Sequence, residues 1–208
     1  MNKKKYLAII MATVLGLTTF AACGKSNTDV AADDAEQDVV EDGDEGVNPP
    51  FLTDLEMYDS VISNLSADQY YAFAGVAEDY DVLLVTDGVY DYDGTTAAID
   101  ATIYGLDADG KVIEIGSVES DGTAYPLSIY EDYLMFGGNH HMAMVFVDNG
   151  NMVTKKDADE VFDEEGNVTY YLFDYDNHFE GEVEDDSELV SMYDAFGEAI
   201  IINFNKAE

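Results

Sequence analysis

Five acidic, glycine-bearing tetrads punctuate the chain from residue 91 onward: "DYDG" (91–94), "DADG" (107–110), "ESDG" (119–122), "DNGN" (148–151) and "DEEG" (163–166). Asp or Asn beside Gly accommodates the positive φ that tight hairpin turns demand. Connections this short join antiparallel neighbours, because a parallel return needs a crossover of about a dozen residues or more. Between the turns the hydrophobic period is two. This pattern predicts strands over 82–86, 97–106, 111–118, 126–130, 133–137, 141–147, 152–155 and 168–173.

Helix signals flank this strand-rich region. In "FLTDLEMYDSVISNLSADQYYAFAGV" (51–76), Thr53 and Glu56 fit a capping box, followed by Leu55, Tyr58, Ile62 and Leu65 at helical spacing. Ser66 and Gln69 form a second box and predict a short helix through Phe73. Near the end, "DDSELVSMYDAFG" predicts a helix with Ser187 as its N-cap and Gly197 as its C-terminal stop, with Leu189, Met192, Tyr193 and Phe196 inward. "AIIINF" (199–204) reads as a buried strand. The expected fold class is α+β: an antiparallel β meander or partly closed barrel with N-terminal helices and a C-terminal helix plus strand. A propeller needs blades of about 40 residues each, and too little chain remains once the helices are subtracted.

The first residues read as an export signal. Lys3, Lys4 and Lys5 precede the apolar run "YLAIIMATVLGL" (6–17), which is shorter than the roughly 20 residues that span a bilayer. The cut site, Phe20-Ala21-Ala22-Cys23, resembles the lipobox of bacterial lipoproteins, with Phe20 in place of the commoner aliphatic residue. The resemblance implies that Cys23, the only cysteine, is diacylated on sulfur and becomes the first mature residue. Two acyl chains hold a protein on a membrane stably where one does not. The expected organisation is a signal peptide over 1–22, the lipidated Cys and a disordered acidic tether over 23–50, and a globular domain over 51–208. The tether is rich in acids and lacks aromatic residues, so it cannot bury enough surface to offset ordering. Its reach as a coil is roughly 30 Å.

Charge narrows the partners. There are 45 acidic residues against 8 basic ones. All the basic residues are lysines, and only Lys25, Lys111, Lys155, Lys156 and Lys206 follow the signal peptide. Phosphate binding needs clustered Lys or Arg, which excludes nucleic-acid partners. Anionic substrates lack an arginine clamp. The expected partners are the membrane, through Cys23, and a ligand or protein outside the cell.

Candidate site residues are few. In "GGNHHMAMVFV" (137–147), His140 and His141 are neighbours on a strand and point to opposite faces, so they cannot chelate one ion together. The two glycines mark a bend or close approach. Tyr125, Asn139, His140 and His141 are therefore read as lining a ligand cleft. The acidic turns invite a calcium reading, in which Asp91, Asp93 and Asp100 occupy positions 3, 5 and 12 of an EF-hand-like loop. Val89 stands at position 1, however, and hairpin turns explain these residues better. Calcium is the one cofactor left open, for these turns or for "DYDNHFEGEVEDD" (174–186). The sequence carries no G-x-S-x-G elbow, H-E-x-x-H, phosphate loop or dinucleotide fingerprint. Paired carboxylates would suit a glycosidase, but a chain so rich in acids makes any pair uninformative.

"DVLLVTDGVYD" (81–91), "ESDGTAYPL" (119–127) and "LMFGGNHHMAM" (134–144) are similar to segments of small extracytoplasmic lipoproteins of anaerobic Gram-positive bacteria. The resemblance spans most of 54–204. It implies location and class and carries no site residue. The expected function is a membrane-anchored, non-catalytic binding domain. A divalent-cation module and a secreted hydrolase are the alternatives.

Overall fold

The computed structural model describes residues 54–208. The expected signal peptide (1–22), Cys23, the expected tether (23–50) and Thr53 lie outside the described residues. Two single-turn helices, α1 (Asp54–Met57) and α2 (Asp59–Ile62), open the domain. Strands β1 (Tyr70–Ala74), β2 (Val82–Thr86), β3 (Tyr90–Tyr92), β4 (Thr95–Ala97), β5 (Asp100–Leu106) and β6 (Val112–Glu119) follow. Next come β7 (Ser128–Tyr130), β8 (Tyr133–Gly138), β9 (His141–Asp148), β10 (Asn151–Phe162), β11 (Val168–Asp174) and β12 (Phe179–Val183). Helix α3 (Ser187–Glu198), β13 (Ile200–Ile201) and β14 (Asn205–Lys206) complete the chain.

The strands form two main antiparallel sheets and a hairpin. The first sheet runs β14-β1-β2-β5-β6, the second runs β12-β11-β10-β9-β8-β7-β13, and β3 pairs only with β4. The fold is thus α+β with a long meander from β7 to β12, as the turn spacing predicts. The sheets remain separate, so the partly closed barrel is not formed.

Period two explains the layering. On β2, Val82 and Leu84 face a core shared with Leu134, Val145 and Val147 of the second sheet. Leu83 and Val85, pointing the other way, pack with Tyr58, Val61 and Ile62 of the N-terminal helical segment. Every residue of β2 is consequently buried. The second sheet repeats the pattern: Met135, Met142 and Met144 turn from the shared core to Leu189 and Met192 of α3. The order of layers is helices, sheet, sheet, helix.

Several expectations need correction. Ser66 and Gln69 make a capping-box contact, with Gln69 Oε1 accepting from the Ser66 amide at 2.9 Å, but on a turn. The predicted second helix is strand β1, because Tyr71 and Phe73 on one face and Ala72 and Ala74 on the other each meet a core. The first predicted helix is broken at Tyr58, whose buried ring takes a non-helical backbone (φ −100°, ψ 12°). The 97–106 strand divides into β4 and β5, and the 152–155 strand is one end of the twelve-residue β10. "AIIINF" is not a buried strand: Ile200 is 75% exposed on the two-residue edge strand β13, while Ile202 and Phe204 beyond it enter the shared core.

Most of the turn readings hold. Asp93 and Gly94 both have positive φ, as do Asn149 and Gly150, which is the signature of the tightest hairpins. "ESDG" differs, because it carries the chain from β6 in the first sheet to β7 in the second. Among the described residues, no helix is long and apolar enough to cross a membrane.

Candidate functional site

Two arrangements of polar side chains arise from one irregularity in β10. Thr154 lies opposite Val145 and Lys156 opposite Met144, so Lys155 has no partner of its own and forms a β-bulge. A bulge reverses the facing of every residue beyond it relative to an unbroken strand. It also brings two consecutive side chains to one side. Lys155 and Lys156 accordingly both line a cleft beneath α3. Asp157 and Asp159, by contrast, fall on the face shared with His141 and Ala143.

On that second face the register builds two rows across the sheet. Gly138, His141, Asp159, Tyr171 and Glu182 make one row; Phe136, Ala143, Asp157, Phe173 and Glu180 make the next. His141 Nε2 lies 3.2 Å from Asp157 Oδ1. One donor atom from each of His141, Asp157 and Asp159 falls within 4.8 Å of the other two. Asp157 Oδ1 is closed to solvent and receives no aligned hydrogen bond, although the imidazole nitrogen stands close by. The close approach of the Asp157 carboxylate, reinforced by the charges of Asp159 and Asp121, raises the His141 pKa against the opposing effect of burial. Burial, and then the charge of Asp157, raise the Asp159 pKa.

The glycine pair has a steric cause. A methyl group on Gly138 would overlap the Asp121 carboxylate, and one on Gly137 would overlap the His141 carbonyl oxygen. Gly138 thereby admits Asp121 over the residue paired with His141.

Of the residues expected to line a ligand cleft, Tyr125 and Asn139 meet, whereas His140 and His141 turn to separate partners. Tyr125 donates to Asn139 Oδ1 at 2.9 Å, and its ring packs against Tyr193 and Phe196 of α3. Tyr193 donates to the Gly138 carbonyl at 2.8 Å, and burial pushes its hydroxyl up to about 12. His140 pairs with Glu160 at 2.7 Å beside the Phe162 ring, while His141 turns to Asp157. The two histidines do take different partners, but His140 stands in the turn before β9 rather than on the strand with His141, so strand alternation is not the cause. Asp91, Asp93 and Asp100 do not converge either. His141, Asp157 and Asp159 form the only group of three such donors close enough for one ion among the described residues.

The cleft beneath α3 has a volume of about 530 Å³. Its floor includes Met144 and Met192, and Tyr130 and Tyr133 stand in its wall. Lys155 pairs with Asp176 and lies 5.2 Å from the centre of the Tyr133 ring. Lys156 pairs with Glu188 at 2.8 Å and with Asp174 at 3.6 Å. Both ammonium groups are therefore already compensated. Glu131, Asp194 and Glu198 also border the cleft, and their carboxylates engage no partner among the described residues. Sequence reading missed this cleft because "KKDADE" looks like a solvated loop. The Asp-x-Asp spacing, which is the period of one strand face, was the available signal that a strand continues through this segment. Searches against family models, curated proteins and solved structures found no match to this chain.

Proposed function

We propose that the protein is a lipid-anchored extracytoplasmic binding protein whose cleft beneath α3 takes a small amine with an apolar body. The observation that carries the ligand assignment is the charge state of that cleft. Its two lysines are spent on Asp174, Asp176 and Glu188, leaving three carboxylates facing a partly aromatic wall. The volume falls within the usual range for small-molecule sites. An ammonium gains from the free carboxylates and from tyrosine faces, whereas a carboxylate ligand is repelled.

The probe is hexylamine, compared with hexanol and hexanoate at equal ionic strength. Hexylamine is expected to raise the melting temperature of the full-length chain, and the other two to leave it unchanged. The double change Asp194→Asn with Glu198→Gln should weaken the amine effect about tenfold, with Glu184→Gln as the remote control. Equal losses in both would sink the assignment.

The anchor rests on Phe20-Ala21-Ala22-Cys23. Cys23→Ser is expected to abolish incorporation of labelled fatty acid in a lipoprotein-processing bacterial host and to release the protein into the medium. Undiminished labelling of that variant would end this reading.

A further inference from the structure

The His141, Asp157 and Asp159 cluster lies on the other face of the second sheet from the cleft. We propose that His141, Asp157 and Asp159 bind one divalent first-row transition-metal ion of the zinc class. The proposal is independent of the cleft, since the bulge sends the two sets of side chains to opposite faces.

The donor set comes first. One imidazole nitrogen and two carboxylate oxygens suit zinc and its neighbours, which accept mixed N and O ligands at about 2.0–2.2 Å. Calcium asks for six to eight oxygens, and this group supplies no such shell. Two donors bound side by side on one ion lie about 3–3.5 Å apart at those bond lengths. His141 Nε2 and Asp157 Oδ1 stand 3.2 Å apart, and all three donor atoms fall within 4.8 Å of one another. A small side-chain adjustment then completes three-point coordination, leaving further positions open toward the solvent side.

Other observations point the same way. Asp157 Oδ1 is a buried anionic oxygen with no aligned donor, which ordinarily costs stability and which a cation would satisfy. The three side chains also stand on directly paired strands, with Asp159 opposite His141 and Asp157 opposite Ala143. Their separation is therefore held by the backbone ladder rather than by a loop. Finally, Gly138 leaves room for the Asp121 carboxylate beside the row containing His141, so an acceptor is available near the imidazole. An ordinary His–Asp ion pair uses one carboxylate; it does not explain why the second, Asp159, is held in the same small volume.

The test uses the full-length chain, stripped with chelator and titrated with Zn²⁺ at about 0.15 M salt, with excess Mg²⁺ to suppress diffuse binding to the acidic surface. One saturable equivalent is expected. His141→Gln and Asp159→Asn should each weaken it at least tenfold, whereas Asp185→Asn, a remote acid, should not. Bound Co²⁺ should give a visible d–d spectrum that the same two variants lose. Gly138→Ala should weaken binding by displacing Asp121, with all three donor side chains unchanged. Should the variants unfold, trace Mn²⁺ added to the unmodified chain provides a readout without mutation. It should broaden the His141 ring resonances before those of His140 and His178. Uniform broadening of the three histidines, or Zn²⁺ affinity unchanged in both folded variants, would leave an ordinary ion pair only and overturn the proposal.

Discussion

Deletion of Lys155 is expected to destabilise the domain by about 4 kcal/mol or more, whereas Lys155→Ala should cost about 1 kcal/mol or less. The two changes remove the same side chain and differ only in the backbone. Alanine keeps the bulge and forfeits the ion pair with Asp176 and the contact with Tyr133, both at the surface. Deletion forces β10 into unbroken register with β9. Either the segment after the bulge flips, driving Asp157 and Asp159 toward Met142, Met144 and Met192, or the segment before it does. The first outcome buries carboxylates among apolar side chains without partners, at a cost of several kcal/mol. Urea unfolding of the three chains, compared at constant m-value, measures the difference. A deletion costing under about 1 kcal/mol would show that the sheet does not depend on the bulge.

Leu84→Ala is the second large effect, expected at about 3–4 kcal/mol. Leu84 is fully buried on β2 and sits in the core that both sheets share. Neighbouring strands hold the backbone on both sides, with Ala72 paired to Leu84 on one and Ile103 on the other. The site cannot collapse readily, and the cavity term should appear nearly in full. Val190→Ala, on the exposed side of α3, should fall within about 0.5 kcal/mol of zero. A Leu84→Ala cost below about 1 kcal/mol in the same unfolding assay would contradict the shared core.

Legibility followed how local the cause was. Hairpins at Asp93-Gly94 and Asn149-Gly150 were readable because the turn residues themselves supply the unusual backbone. Helix α3 was readable because Leu189, Met192 and Tyr193 carry their own period. Strand β1 was not, since Ser66 and Gln69 form the same contact in a turn as in a helix start. The outer half of β10 was hidden for another reason. Ala158 is its one fully buried side chain, and the apolar cover comes from other elements: Met142 on β9, Leu172 on β11 and Leu189 on α3. The His141, Asp157 and Asp159 group lay further beyond reach. It depends on a one-residue register shift, and register is a property of two strands rather than of either alone.

The segment over 200–207 has a consequence for when the domain can exist at all. Ile200 and Ile201 finish the second sheet, Asn205 and Lys206 finish the first, and Ile202 and Phe204 lie between the sheets. Asn203 accepts a hydrogen bond from the Thr96 amide, and the Ala207 amide donates to the Gln69 carbonyl. The tail therefore works as a clasp, fastening sheets whose other strands were synthesised long before. A growing polypeptide that still lacks it has two unfinished edges and an open seam. Its folding is completed only once this segment has been synthesised, so the architecture waits on residues far from the strands they join.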